Sequence, residues 1–186
     1  LCFVGKIKLP IFLKQKLKNK KGDIIEVPHN SHLYSKKTNV GDAIQYSPED
    51  GKKIGEHHGA HYFTIGQRKG LTIGGKKEPL FVIETDVQIN IIYVGMGQKH
   101  PGLFRQNLKI NINNVHWLLK SNTIKQQEKK KFLVRIRHRQ KLQDAYLYMD
   151  NFHLYILFQK PQRGISKGQF AAWYTNNKLI GSGPIE

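Results

Sequence analysis

Beyond residue 105, short apolar runs alternate with turn residues, and the spacing predicts strands at 108–112, 115–119, 132–137, 145–149, 154–159, 170–174 and 179–180. Asp150-Asn151 and Asn176-Asn177 suit tight hairpin turns between them. Many short strands with turn signals and no long helical period predict a small antiparallel barrel or sandwich rather than a parallel sheet. Upstream the pattern is mixed. Residues 9–18 (LPIFLKQKLK) have helical spacing: Pro10 suits the first turn, Ile11, Leu13 and Leu17 share one side, and Lys14, Lys16 and Lys18 the other. Residues 24–27 predict a strand halted by Pro28, and residues 28–53 are polar and weakly periodic, as in an inserted loop or hairpin. Strands at 80–85 and 90–94 flank a turn at 86–89; Gly95-Met96-Gly97 breaks the second, and His100-Pro101-Gly102 marks a domain boundary. The fold class expected is mainly β. A basic helical linker covers 1–20, a small mixed α/β (mostly β) central domain 21–103, and a C-terminal antiparallel β-barrel 104–186.

Charge changes the picture more than composition does. The 186 residues carry 31 Lys plus Arg against 13 Asp plus Glu, a net charge of +18. Such an excess attracts polyanions, nucleic acid foremost; a generally lysine-rich proteome is the alternative. From Lys6 to Lys21 there are seven lysines and no acid, which makes either a phosphate-contacting stretch or a solvated helix face. The lone cysteine, Cys2, forbids an internal disulfide, and the nine His residues do not fall into zinc-ligand spacing with it. No run approaches the ~18 apolar residues of a membrane helix. The apolar part of residues 1–5 is too short for a signal peptide, and a reducing cytoplasm is the expected compartment.

Three stretches carry candidate chemistry. Residues 54–75 hold six glycines in 22 positions, and Gly66-Gln67-Arg68-Lys69-Gly70 sets two cations between turn glycines without matching the GxxxxGK[ST] nucleotide loop. His57, His58 and His61 lie nearby, but only Glu56 accompanies them, so a structural or RNA-facing role is expected over metal binding. Residues 125–141 hold eight basic side chains and one acid, Glu128. Strand alternation there would turn Phe132, Val134 and Ile136 into a core and project Arg135, Arg137 and Arg139 together, with His138 opposite. Three such guanidiniums suit a phosphate backbone, or an edge strand that uses charge against aggregation. Finally, Pro161-Gln162-Arg163-Gly164 and Lys167-Gly168-Gln169 form a loop whose glutamines could bind phosphate, bind a base edge, or cap the turn.

Taken in order, these stretches resemble the bacterial tRNA-specific 2-thiouridylases. The resemblance rests on Cys2-Phe3-Val4-Gly5, Gly22-Asp23-Ile24, Gly55-Glu56-His57 and the run Tyr62-Phe63-Thr64-Ile65-Gly66-Gln67-Arg68-Lys69-Gly70-Leu71. It continues through Ile73-Gly74-Gly75, Glu78-Pro79, Tyr93-Val94-Gly95, Gly97, His100-Pro101, Val115 and Trp117. Arg135-Ile136-Arg137-His138-Arg139-Gln140, Pro161-Gln162-Arg163 and Gly168-Gln169 complete it. The family puts sulfur on the wobble uridine of tRNA. The resemblance implies that this sequence corresponds to the family's central domain and C-terminal β-barrel, plus the tail of an N-terminal ATP-pyrophosphatase domain over 1–20.

The resemblance also implies roles. Cys2 would be catalytic, carrying sulfur as a persulfide to the activated uridine and able to pair with a second cysteine outside this sequence. Arg137, His138 and Gln169 would bind tRNA, with Arg135, Arg139, Arg163, Arg68 and Lys69 as further contacts. His138 stands where the family commonly has Tyr, and the 28–53 loop is longer than a short hairpin. ATP, normally with Mg2+, would serve the full-length enzyme, with no cofactor and no metal bound by this part. The expected partners are tRNA, a persulfide sulfur-donor protein and the N-terminal domain of the same chain. No membrane is expected, and the part alone would be an inactive monomer. The rivals are a stand-alone basic β-barrel that binds RNA without catalysis, and a translation-factor-like barrel.

Overall fold

The computed structural model describes residues 19–36, 38–118 and 123–186. The helix expected at 9–18 and the Cys2 site lie outside the described residues. Strand makes up 44% and helix 9%, so the mainly-β expectation holds. The chain divides into two compact units.

One unit takes residues up to Tyr34 and Gln45–Leu103. Its mixed sheet has the order β2-β1-β4-β3, with β1 Gly22–Glu26, β2 Lys52–His57, β3 Leu80–Asp86 and β4 Ile91–Met96. β1 lies antiparallel to β2 and parallel to β4. The β3–β4 turn forms because Asp86 Oδ1 accepts from the backbone N–H of Gln88 and Ile89 at 2.9 and 3.0 Å, the local bonding that makes Asp a turn former. Ile24, Ala60, Leu71, Leu80, Val82, Ile92 and Val94 form its core. Removing each of the larger aliphatic side chains from water contributes about 1.5–3 kcal/mol.

β4 does not break at Gly95; it runs to Met96 and stops before Gly97, which sits at φ +88°. Gly95 answers a different need: a Cβ there would lie 2.3 Å from Nδ1 of the buried His100 ring. His100 in turn lies 3.1 Å by Nε2 from the Val27 carbonyl, and its Nδ1 accepts from Gly102 N–H at 3.3 Å. That pairing fixes a neutral ring with its proton on Nε2. Asn90 closes the opposite end of the strands. Its Oδ1 accepts from Ala60 N–H at 3.0 Å, and its Nδ2 donates to the carbonyls of Lys20 and Lys21 at 3.0 and 2.8 Å.

The other unit takes Ser35–Ile44 and Phe104–Glu186. Its seven strands are β5 Phe104–Asn111, β6 His116–Trp117, β7 Lys129–Arg135, β8 Gln143–Met149, β9 His153–Arg163, β10 Phe170–Thr175 and β11 Lys178–Pro184. They form one antiparallel sheet in the order β5-β9-β8-β7-β10-β11-β6, curled into a half-barrel. The period-two pattern sends Phe132, Val134, Ala145, Leu147, Leu154, Ile156, Phe158, Ala171 and Trp173 into one core. The curl brings the far side of the sheet back toward β5. A Cβ on Gly183 would lie 2.7 Å from Ile110 Cγ2, and Glu186 N–H donates to the Lys109 carbonyl at 3.1 Å.

Residues 35–44, part of the expected inserted loop, strap onto β5. Gly41 N–H donates to Asn107 Oδ1 at 2.9 Å, Arg105 Nη2 donates to the Gly41 carbonyl at 2.8 Å, and Lys109 Nζ meets Asp42 Oδ1 at 2.6 Å. Pro161, expected in a loop, lies within β9. β8 pairs β9 only from Leu154 to Phe158, and the β5 register shifts between Arg105 and Asn107. Beyond Phe158 one edge of β9 therefore has no ladder in which a missing N–H would count.

Candidate nucleic-acid interface

The barrel unit builds a cationic rim from two neighbouring turns. β7 ends at Arg135, and the chain then bends: Ile136 N–H donates to Gln140 Oε1 at 2.9 Å, and Gln140 N–H to the Arg137 carbonyl at 3.2 Å. Gln140 Nε2 reaches the buried Gln162 Oε1 at 3.0 Å, and Gln162 Nε2 donates to the Lys160 carbonyl at 2.8 Å. Two glutamines thus fasten the 137–140 turn to the end of β9. Arg137 adds a second fastening: its Nη2 donates to the Gly164 carbonyl at 2.7 Å. Gly164 sits at φ +70°, and a Cβ there would lie 2.4 Å from that nitrogen.

This geometry corrects the expected row of three arginines on one strand face. The strand ends before Arg137, and Arg139 occupies the left-handed region at φ +66°. Arg135 instead lies over the Tyr174 ring at 4.9 Å, a cation–π contact. Two lysines of β7 are likewise engaged: Lys131 pairs with Asp144 at 2.8 Å, and Lys129 lies 4.7 Å from the Tyr146 centroid. Arg137, His138 and Arg139 are exposed at the turn, and Arg163 is exposed at the end of β9. Neither 137–141 nor 160–169 contains an acid.

Gln169 lies on the same 164–169 loop. Its N–H donates to the Ser166 carbonyl at 3.3 Å, and its carbonyl accepts from Ile185 N–H at 2.8 Å. Its side-chain Oε1 is buried with no hydrogen-bond partner among the described residues. The structure thus brings Arg137, His138, Arg139 and Arg163 to one rim and places Arg135 on the neighbouring strand face. Gln140, which helps build that rim, carried no assigned role in the sequence. Gln162, one of the glutamines expected to bind phosphate, bind a base edge or cap a turn, is buried and fastens the turn. Their signal was their place beside the turn residues.

In the mixed-sheet unit, Arg68 and Lys69 are exposed on the glycine-rich loop. Gln67 shapes it: its Oε1 accepts from Thr64 N–H at 3.2 Å, and its Nε2 donates to the Lys69 carbonyl at 2.8 Å. Gly66 N–H donates to the Val82 carbonyl at 2.7 Å, and Val82 N–H to the Gln67 carbonyl at 2.9 Å, so the tract runs beside β3. Residues 68 and 71–80 line an open cavity of 450 Å3. His57 Nδ1 accepts from Gly59 N–H at 2.9 Å, and burial pushes its pKa down, so the ring is neutral with its proton on Nε2. Among the described residues no group of three His, Cys, Asp or Glu could hold a metal.

An antiparallel barrel with an acid-free cationic rim, joined in one chain to a small mixed sheet, defines a two-part β protein suited to a polyanion. Residues 11–96 match a family described as tRNA methyl transferase PRC-barrel domain, and residues 107–185 one described as aminomethyltransferase beta-barrel domain. A relative from Karelsulcia muelleri is 52% identical over 187 residues, covering 100% of this chain and 48% of its own length. One from Christiangramia forsetii is 47% identical over 196 residues, covering 100% and 50%. One from Flavobacterium johnsoniae is 45% identical over 196 residues with the same coverage. All three are described as tRNA-specific 2-thiouridylase MnmA. The chain belongs to the tRNA-specific 2-thiouridylase family. It spans about half the length of these curated relatives.

Proposed function

We propose that this chain is the tRNA-holding part of an enzyme that replaces the C2 oxygen of the wobble uridine with sulfur. The observation that carries the reading is the end-to-end match to relatives described as tRNA-specific 2-thiouridylases at 45–52% identity. In this reading the reaction depends on ATP, normally with Mg2+, and activation of the uridine is the task of residues outside this sequence. A persulfide donor protein passes its outer sulfur to the Cys2 thiol. That sulfur attacks the activated C2 carbon and displaces the activating group. The second cysteine, outside this sequence, then attacks Cys2, so that the sulfur–sulfur bond breaks, the 2-thio group is released and a disulfide remains. A thiolate is the competent form of Cys2. The compartment is the cytoplasm, where a reducing environment keeps such a thiol available.

The barrel rim supplies the grip. Arg137, Arg139 and Arg163 offer guanidiniums to phosphate oxygens, for which their forked donors are shaped. The exposed His138 ring can stack on an unpaired base. Gln169 lies on the 164–169 loop, which follows Arg163, and a side-chain amide there suits a base edge or a ribose 2′-hydroxyl. The decisive test is Cys2→Ser in the full-length enzyme that contains this chain. ATP-dependent activation of tRNA persists and 2-thiouridine is lost, as read by mass spectrometry of digested tRNA. Undiminished thiolation by that variant would remove Cys2 from the chemistry.

A further inference from the structure

The glycine-rich loop of the mixed-sheet unit has features that its own packing does not explain. Leu71 is buried in the core, and Ile73 packs against the same cluster. Those two residues pin the loop down, and the stretch from Gly74 to Glu78 is left exposed. Gly75 needs to be glycine, because it sits at φ +73°. Gly74 does not: its φ is outside the left-handed region, and a Cβ there would meet nothing within 4 Å. Nothing within the protein requires a bare backbone at that position.

Two further observations concern the same place. Among the described residues, no backbone N–H from Thr72 to Glu78 donates to a protein acceptor. These unused donors border a cavity of 450 Å3. Successive main-chain N–H groups around a concavity form an anion nest. The charges agree. Lys76 is paired with Glu26, and the Glu78 carboxylate lies against Gly97. Arg68 and Lys77, both lining the cavity and both exposed, have no ion-pair partner among the described residues. Two free cations and a run of backbone N–H groups without a protein acceptor thus lie along one cavity, to which Gly74 adds no side chain.

We infer that the cavity formed by Arg68 and residues 71–80 binds a phosphate of the tRNA backbone, with Gly74 kept bare so that the phosphate can reach the main-chain N–H groups. Bare glycine where a ligand must approach the backbone is the general use of the residue in phosphate loops. This second grip lies on the mixed-sheet unit, whereas the rim residues belong to the barrel unit. The inference rests on the proposed reading that the chain holds tRNA.

The test uses the 186-residue chain, unmodified tRNA and inorganic phosphate. Gly74→Ala is the most informative variant, because the added methyl meets no protein atom and the fold has no reason to suffer; its melting temperature stays level or rises slightly. Its affinity for tRNA falls about ten-fold, the loss of one good charge-assisted contact. Arg68→Gln with Lys77→Gln makes the log–log salt dependence roughly 0.7–0.9 units shallower, as one lost phosphate contact requires. Inorganic phosphate shifts the amide NMR signals of Gly74 and Gly75 in the wild type and not in the double variant.

If the wild type fails to bind tRNA, the proposed function fails and takes this inference with it. If the wild type binds and the salt-sensitive affinity is unchanged in Gly74→Ala or in the double variant, this inference alone is overturned. Phosphate shifts without any loss of tRNA affinity would assign the cavity to another anion, such as an acidic protein segment, and overturn it too.

Discussion

The His100 ring accepts one hydrogen bond from Gly102 N–H and gives one to the Val27 carbonyl, so a second proton has no place. Burial pushes its pKa below the ordinary histidine value, and burial does the same to His57. A histidine with a lowered folded pKa is stabilising while both states are neutral. As pH falls through about 6.5, the unfolded chain takes up protons that the folded one refuses, and stability drops until the folded pKa is passed. Thermal melts should therefore show a falling transition temperature from pH 7 to pH 5. His100→Gln keeps a donor for Val27 but does not titrate, so its curve is flatter across that window although lower overall. An identical slope in both proteins would exclude His100 as a source. Asp42 and Asp150, whose carboxyls are held low by Lys109 and by the N–H groups of Phe152 and His153, act only at lower pH.

The strands divide by how plainly they were written. β7, β8 and β10 alternate apolar and polar residues because one face meets a shared core and the other meets water, and their positions were legible to within a few residues. β2 was not. Lys52-Lys53-Ile54-Gly55-Glu56-His57 has one aliphatic side chain, and it is a strand because β1 offers it a ladder at the sheet's edge. The end of β9 was hidden by Pro161, which reads as a loop unless the loss of its β8 neighbour is known. The same local blindness made a strand face of Arg135, Arg137 and Arg139, since the Gln140–Gln162 bond that fastens the bent chain to the end of β9 joins residues 22 apart. The Asn176-Asn177 turn was legible and is testable. Its residues sit at φ +47° and +63° between the pairs Thr175–Lys178 and Tyr174–Leu179, a two-residue hairpin with both residues left-handed. Asn177→Gly should hold or raise the melting temperature. Asn177→Val should lower stability by about 1–2 kcal/mol, the cost of a branched residue in that conformation.

Across the whole molecule, +18 of net charge repels itself in the compact state. Added salt screens that repulsion, so the melting temperature should rise from low to moderate sodium chloride while any bound polyanion loosens. A melting temperature insensitive to salt would show that the charge is already neutralised locally, pair by pair. The basic balance and the glycine-rich run were evident in the sequence. The cavity was not, because it exists only once Leu71 and Ile73 are anchored in the core. The strap of residues 35–44 carries a different kind of consequence. It leaves the ribosome more than sixty residues ahead of β5, the strand it is bonded to through Asn107, Arg105 and Lys109. During synthesis it must wait, unpaired, while the mixed sheet is completed around its two ends. A polypeptide begun at Phe104 would emerge without it, so the barrel unit is not a module that can be cut out at a single point in the chain.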